Sequence, residues 1–288
     1  MDTDRIDTLH PLAGLEPDAG EDDELQAVIR ANAGELAERE AGTRSGADPE
    51  DLHKFRVATR RIRSLLRSTR SQLRDPDEGE RLRLELKWLA TLLGQVRDRD
   101  VFIEYLVGEL ESLEGAPFGA ILEQLDGERE HARRELGVAL DSARYKALVA
   151  SLDRPPALRE GETLHAAAKA EFRRLRKTMK GLGEGATDEQ LHQARIRVKR
   201  ARYAAEAAGA DRFADRAKAM QDVFGEHQDA VVAEAHIREL LEQVRGTGRT
   251  AFAAGRLVER QRARREAARD AWPAAWKRLK KAGDSAFA

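Results

Sequence analysis

A twelve-residue segment of this chain recurs in recognisable form 139 positions further on. Leu52-His53-Lys54-Phe55-Arg56-Val57-Ala58-Thr59-Arg60-Arg61-Ile62-Arg63 aligns with Leu191-His192-Gln193-Ala194-Arg195-Ile196-Arg197-Val198-Lys199-Arg200-Ala201-Arg202. The shared pattern is L-H-x-x-R-[VI]-x-x-[RK]-R-x-R. A shorter match follows in each half, Leu92-Leu93-Gly94-Gln95-Val96-Arg97-Asp98 against Val223-Phe224-Gly225-Glu226-His227-Gln228-Asp229. Arg154-Pro155-Pro156 interrupts the chain near its midpoint, between segments 22–153 and 157–288 of nearly equal length. A match this long at a fixed offset marks an internal duplication, so whatever one half folds into, the other must fold into as well.

The repeated unit is helical. Both halves are built from Ala, Leu, Arg and Glu, with few β-branched or aromatic residues and with apolar residues recurring at three and four. Asp48-Pro49-Glu50-Asp51 supplies an N-cap, a proline for the first turn and acids at the dipole's positive end. Thr187-Asp188-Glu189-Gln190 is a capping box. Prolines 76, 117 and 273 read as helix starts, and glycines 94, 209 and 225 as stops. The pattern predicts ten helices, 22–44, 48–74, 77–94, 98–114, 117–151, 158–182, 188–209, 212–225, 228–246 and 249–282, the last broken at Pro273. On this reading Asp98 and Asp229 are N-caps after a glycine stop.

Several classes fall away. The 288 residues contain no cysteine, which excludes disulfides and thiolate metal sites. No apolar run reaches the roughly 18–20 residues of a membrane span, and the N-terminus lacks a signal peptide's basic and apolar regions. The expectation is a soluble, cytoplasmic protein.

Charge is segregated along the chain. The formal net charge is −1, yet residues 1–24 hold nine acids and one base, so the rest carries +7. Residues 1–21 read as a disordered acidic tail on a basic body, which points to a polyanionic partner. Helical geometry localises the basicity. At about 100° per residue, Arg56, Arg60, Arg63 and Arg67 fall within about 80° of His53, beside an apolar seam of Leu52, Phe55, Ile62, Leu65 and Leu66. His192, Arg195, Lys199 and Arg202 group the same way, with Tyr203 at the edge. A third stripe, Lys169, Arg173, Arg176 and Lys180, is headed by His165.

A solvated surface helix normally alternates acids with bases, because like charges at i,i+4 cost a few tenths of a kcal/mol each. From Lys54 to Arg74 there are eight bases and no acid, and from Leu191 to Ala205 five bases and no acid. Stripes that break the habit suggest anions brought by a ligand. Arginine's planar fork suits phosphate, and a histidine becomes more cationic as anions approach. Stripes spaced by helical turns of about 5.4 Å suit a linear chain of phosphates better than a single one.

These residues resemble the CHAD family, the conserved-histidine α-helical domain. The likeness rests on Leu52-His53…Arg56-Val57…Arg60-Arg61…Arg63, on Leu191-His192…Arg195…Lys199-Arg200…Arg202-Tyr203 and on the two glycine–aspartate joints, and it spans about residues 22–288. It implies an all-α fold of two pseudo-twofold-related antiparallel four-helix bundles, 22–153 and 157–288, together forming one CHAD domain. It further implies non-catalytic binding of inorganic polyphosphate, association with polyphosphate granules or polyphosphate-metabolising proteins, and no membrane or cofactor. The resemblance would place contacts on His53, Arg56, Arg60, Arg63, His192, Arg195, Lys199 and Arg202, and the basic faces themselves add Arg61, Arg67, Arg200, Tyr203 and the third stripe. Lys87 and Lys218 align at offset 131 and would line the same groove. Glu206 stands where the first half has Arg67 and would shorten the second stripe.

Three alternatives remain open from the residues themselves, one of them a purely structural adaptor role that would leave the uncompensated stripes unexplained. Phosphate backbones of nucleic acid would also fill the stripes, although stacking aromatics are scarce and no base-reading module is visible. A di-metal carboxylate enzyme would need Glu128/His131, Glu162/His165 and Glu189/His192 to converge inside a bundle.

Overall fold

A computed structural model describes residues 23–110, 119–183, 185–243 and 248–288. The predicted tail, 1–21, lies outside them. The described residues are helical with no strand, in nine α-helices and a short 3₁₀ turn at Arg70–Gln72. In chain order these are α1 (Glu24–Ser45), α2 (Pro49–Thr69), α3 (Pro76–Leu110), α4 (Gly119–Asp141), α5 (Ala143–Leu152), α6 (Leu164–Lys180), α7 (Asp188–Ala207), α8 (Asp211–Gln243) and α9 (Gly248–Ala286).

The caps sit where side chains can satisfy orphan N–H groups. Asp48 accepts from Glu50 N at 2.8 Å at the start of α2, and Thr187 with Gln190 closes a capping box on α7. Gly209 ends α7 at φ +65°, a left-handed conformation that glycine adopts without steric cost.

Several predicted boundaries are corrected. Gly94 and Gly225 do not stop helices: α3 runs on from 77–94 to Leu110 and α8 from 212–225 to Gln243, so Asp98 and Asp229 lie mid-helix, while the predicted ends at 111–114 and 244–246 lie outside the described residues. A helix passes through a lone glycine at a cost of about 1 kcal/mol, which tertiary packing readily offsets. The predicted 117–151 helix divides instead at Ser142, whose hydroxyl accepts from Tyr145 N at 3.2 Å. α6 starts at Leu164 rather than 158. Before it, Arg159 N donates to Gln72 O (2.8 Å) and Arg74 N to Ala157 O (2.9 Å), holding the link extended against the end of α2. α9 runs through Pro273 without a break, surrendering one backbone hydrogen bond.

Three apolar cores result. The first takes Leu25, Phe55, Ile62, Leu66, Leu86, Leu136 and Leu148 from α1–α5. The second takes Phe172, Leu175, Val198, Phe213, Phe224 and Leu279 from α6–α9. Because α3 and α8 are single long helices, their far ends meet α4 and α9 in a third core of Phe102, Leu106, Leu125, Ile237, Ala254 and Leu257.

The second core tolerates no extra volume at Gly283, where a β-carbon would stand 2.3 Å from two Phe172 ring carbons. Gly283→Ala should therefore destabilise the protein by about 1–3 kcal/mol, the usual cost of overpacking. An unchanged melting temperature would show that the ring can swing aside.

Candidate cationic site between α2 and α7

α2 and α7 lie against one another in opposite directions. Arg60 stacks over the Tyr203 ring at 5.7 Å, Arg61 Nε lies 3.7 Å from Glu206 Oε2, and Arg67 sits in the field of Arg200. From Arg61 beside Glu206 to Arg67 beside Arg200, an advance of six residues along α2 matches a retreat of six along α7. The apolar sides, with Phe55 and Ile62 on α2 and Val198 and Ala201 on α7, are buried, which leaves the cationic residues on and beside the seam.

The glycine joints belong to this arrangement. Arg56 Nε lies 4.0 Å from where a Gly94 β-carbon would stand, and Arg195 Nη2 lies 3.8 Å from the same place on Gly225. The two repeats therefore use one contact twice, an arginine of the L-H-x-x-R motif laid beside a mid-helix glycine. Asp98, one turn past Gly94, reaches Arg56 Nη2 at 3.5 Å. Lys87, Gly94 and Asp98 share one face of α3 at seven- and eleven-residue spacings, as do Lys218, Gly225 and Asp229 on α8. Lys87 is exposed there and Lys218 half-buried. His192 Nδ1 donates to Gln228 Oε1 at 2.7 Å, whereas the matching position in α3 is Arg97. His53 and Lys199 are half-buried on their helices.

Like charges crowd the open side of the seam. Burial, with the neighbouring cations Arg67 and Arg197, pulls the Arg200 guanidinium down to about 10, and Arg174 of α6 adds to the effect while Glu171 opposes it. Arg63 is lowered by burial and then by Arg83, Arg67, Arg56 and Arg60, and its buried Nε has no hydrogen-bond partner. Arg56 is lowered chiefly by burial, against the opposing charge of Asp98. Of the acids nearby, Glu80 and Glu171 are each held by an arginine of its own helix, Arg83 and Arg174. Positive charge is left in excess around Arg63, Arg67, Arg197 and Arg200.

Not every predicted contact residue joins this cluster. Arg202 is 1% exposed, donates from Nε to Glu206 Oε1 at 2.6 Å and from Nη1 to Gln221 Oε1 at 3.3 Å, and lies under the Tyr203 ring. Glu206, which the alignment treats as a lost cation, is the acid shared by Arg61 and Arg202 and ties α2 to α7. Tyr203 is itself buried.

The third stripe faces elsewhere. Lys169 Nζ donates to Ala288 O at 2.8 Å, and Arg176 lies 3.4 Å from Asp284, both toward the end of α9. Arg173 and Lys180 are exposed on the same side. Arg83, Arg97, Arg174 and Arg197 were missed by sequence reasoning. The seven- and eleven-residue spacing on α3 could have found Arg83, four residues before Lys87. Nothing in the repeat points to Arg174, which only the packing of α6 against α7 brings to Arg200, whereas Arg197 stands three residues before Arg200 on α7 and was within reach of the helical period.

The three E-x-x-H pairs do not converge. Glu128 faces Arg99, Glu162 accepts from Gln72, and His192 holds Gln228. No group of three or more His, Asp or Glu side chains suited to a metal stands together among the described residues.

A second polar cluster closes the other end of α7. Asp188 accepts from Arg269 and from His227 Nε2 (3.1 Å), while Arg265 approaches its other oxygen at 3.4 Å. Burial alone would raise Asp188, but the Arg269 hydrogen bond and the charges of Arg265 and Arg269 hold it below the usual carboxylate range. Burial lowers His227 below its ordinary 6.5, against the pull of Asp188. The native state thus resists protonating His227 more than the unfolded chain does. Stability is intact above about pH 6.5 and falls as the pH drops toward the lowered native value. His227→Gln should flatten that part of the pH–stability curve, measured by thermal unfolding between about pH 7 and 5. An identical slope in the variant would acquit His227.

The fold and site define a class: an all-helical protein whose duplicated His/Arg motif forms a crowded cationic seam between two antiparallel helices. The CHAD domain model matches residues 27–238, and the chain belongs to the CHAD family. It is 35% identical over 257 residues to uncharacterized proteins from two strains of Mycobacterium tuberculosis, an alignment covering 82% of this chain and 49% of theirs. The chain spans about half the length of these curated relatives. Among solved structures it is similar to PptA from Streptomyces chartreusis, with a TM-score of 0.76 and 29% identity over 88% of this chain and 98% of that one. It is also similar to the CHAD domain of the plant Ricinus communis, with a TM-score of 0.71 and 27% identity over 88% and 90% of the two chains. No helix among the described residues is long and apolar enough to cross a membrane.

Proposed function

We propose that this protein binds inorganic polyphosphate without chemically altering it, through the cationic seam of α2 and α7, and that binding directs it to polyphosphate granules. One observation carries the reading. Half-buried arginines are held together against their own repulsion, with Arg200 lowered to about 10 and Arg63 lowered by four neighbouring cations after burial. Such crowding costs stability in the free protein and is relieved when a polyanion supplies the missing charge. The contacts of Arg56 with Gly94 and of Arg195 with Gly225 support two duplicated four-helix units related by a pseudo-twofold axis through the seam, which would offer a chain the same fork from either direction. The role is one of multidentate binding rather than catalysis. Its partners would be polyphosphate and the proteins that make or consume it.

The test is titration with long-chain polyphosphate, triphosphate and single-stranded DNA at about 0.15 M salt, near physiological screening. Long chains should bind tightest. With about six phosphates engaged, log K should fall against log[salt] with a slope of about −4 to −5, taking roughly 0.7 released counterions per contact as for a flexible single strand. A flat response would remove the mechanism. Equal or tighter binding of DNA would move the protein to the nucleic-acid class.

A further inference from the structure

We infer that the outer surface formed by α6 and the end of α9 is a second polyanion-binding surface, separate from the seam, so that one molecule can hold two segments of phosphate chain. This inference rests on the polyphosphate reading above.

The separation follows from helix geometry. On α6, Lys169, Arg173, Arg176 and Lys180 fall within a sector of about 60°, whereas Arg174 and Glu171, the residues near Arg200, lie about 140–160° around the helix. The stripe and the seam therefore occupy opposite sides of α6. α9 continues the stripe's side. Lys277, Lys280 and Lys281 share a sector of about 100° with Asp284, opposite the buried Leu279 and Ala282.

The contacts of Lys169 with Ala288 and of Arg176 with Asp284 set the two helices antiparallel, which brings Lys180 level with Lys280. Arg173, Lys177, Lys180, Lys277, Lys280 and Lys281 are all exposed and make no ion pair among the described residues. Asp284 is the one acid in the α9 sector, and Arg176 already holds it.

The chemistry of this surface differs from that of the seam. It is lysine-rich, flat and hydrated, so it offers point charges rather than buried forks and favours a flexible, densely charged chain held weakly and with steep salt dependence. A seam that grips one segment and a surface that holds another would let long chains bridge protein molecules.

The experiment uses the full chain and a variant carrying Lys177→Gln, Lys180→Gln, Lys280→Gln and Lys281→Gln, all exposed positions. Calorimetric titration with short-chain polyphosphate should show two binding events in the natural sequence, the second about 10–100-fold weaker, as exposed lysines are against half-buried arginines. The variant should keep the tighter event, lose the weaker one, and no longer scatter light when mixed with long chains. Unchanged stoichiometry and scattering in the variant would overturn the second surface while leaving the seam intact. A seam variant, Arg67→Gln with Arg200→Gln, separates the two readings. If it retains only the weaker event, the second surface is supported. If it binds nothing while the lysine variant binds normally, the second surface is refuted. If the natural sequence binds no polyphosphate at all, the functional reading fails and this inference with it.

Discussion

Neutralising two arginines of the seam, Arg67→Gln with Arg200→Gln, is expected to weaken long-chain polyphosphate binding by about 10²-fold or more, because hydrogen bonds to charged groups contribute about 1.5–3 kcal/mol each. The same change is expected to leave thermal stability unchanged or to raise it. Arg67 is exposed and lies in the field of Arg200, whose guanidinium is pulled down to about 10 by burial and like-charged neighbours. The sign follows from linkage. The native state binds the Arg200 proton less tightly than the unfolded chain does, so at neutral pH the charge opposes folding, and removing it relieves that cost. Arg200 is only half-buried, so solvent screening reduces the gain, and a rise of about 2–4 °C, equivalent to roughly 1 kcal/mol, is the scale expected. Binding lost while stability is held or gained is the signature of groups kept for a ligand. Affinity that survives in a folded variant would remove these arginines from the site. Lost binding together with a lowered melting temperature would make them structural.

Arg202 should behave in the opposite way. It occupies a motif position whose repeat partner, Arg63, stands in the cationic cluster, yet it is 1% exposed and hydrogen-bonded to Glu206 and Gln221. Arg202→Ala leaves the largely buried Glu206 carboxylate short of its main partner, a change that typically costs about 3–5 kcal/mol. In a chain of this size that corresponds to a fall in melting temperature of roughly 10 °C. Arg202→Leu combined with Glu206→Leu should recover much of the loss, since replacing both members of a buried ion pair with apolar groups is often close to neutral. Polyphosphate affinity per folded molecule should change little in either variant. A stable Arg202→Ala protein with impaired binding would reinstate Arg202 as a ligand group and overturn its structural role.

These two arginines show where reading the chain stops. Both lie on α7, two residues apart, and both are conspicuous in the repeat. What separates them is the set of neighbours each meets, some on α7 itself and some brought by other helices. Glu206 and Gln221 turn inward to meet Arg202, whereas Arg67 and Arg174 come from α2 and α6 to crowd Arg200. The missing counter-charge that makes the stripes conspicuous is likewise only local. Asp98 reaches Arg56 from α3, and Glu206 reaches Arg61 across the seam, so the charge excess that remains is smaller than the linear count and more sharply placed.

The helical class, the internal repeat, the caps of α2 and α7 and the cationic faces are legible along the chain, because they depend on propensity, on short-range hydrogen bonds and on a 3.6-residue period, all local properties. The local pattern misjudges Gly94, Gly225 and Pro273, since a helix passes through such residues whenever packing along its length outweighs a local penalty of about 1–3 kcal/mol. Which arginines are buried struts, which are crowded at the seam and which face outward on α6 emerges once the helices pack together. Those roles follow from Coulomb and desolvation terms between residues far apart in the chain, which have no value until the helices are placed.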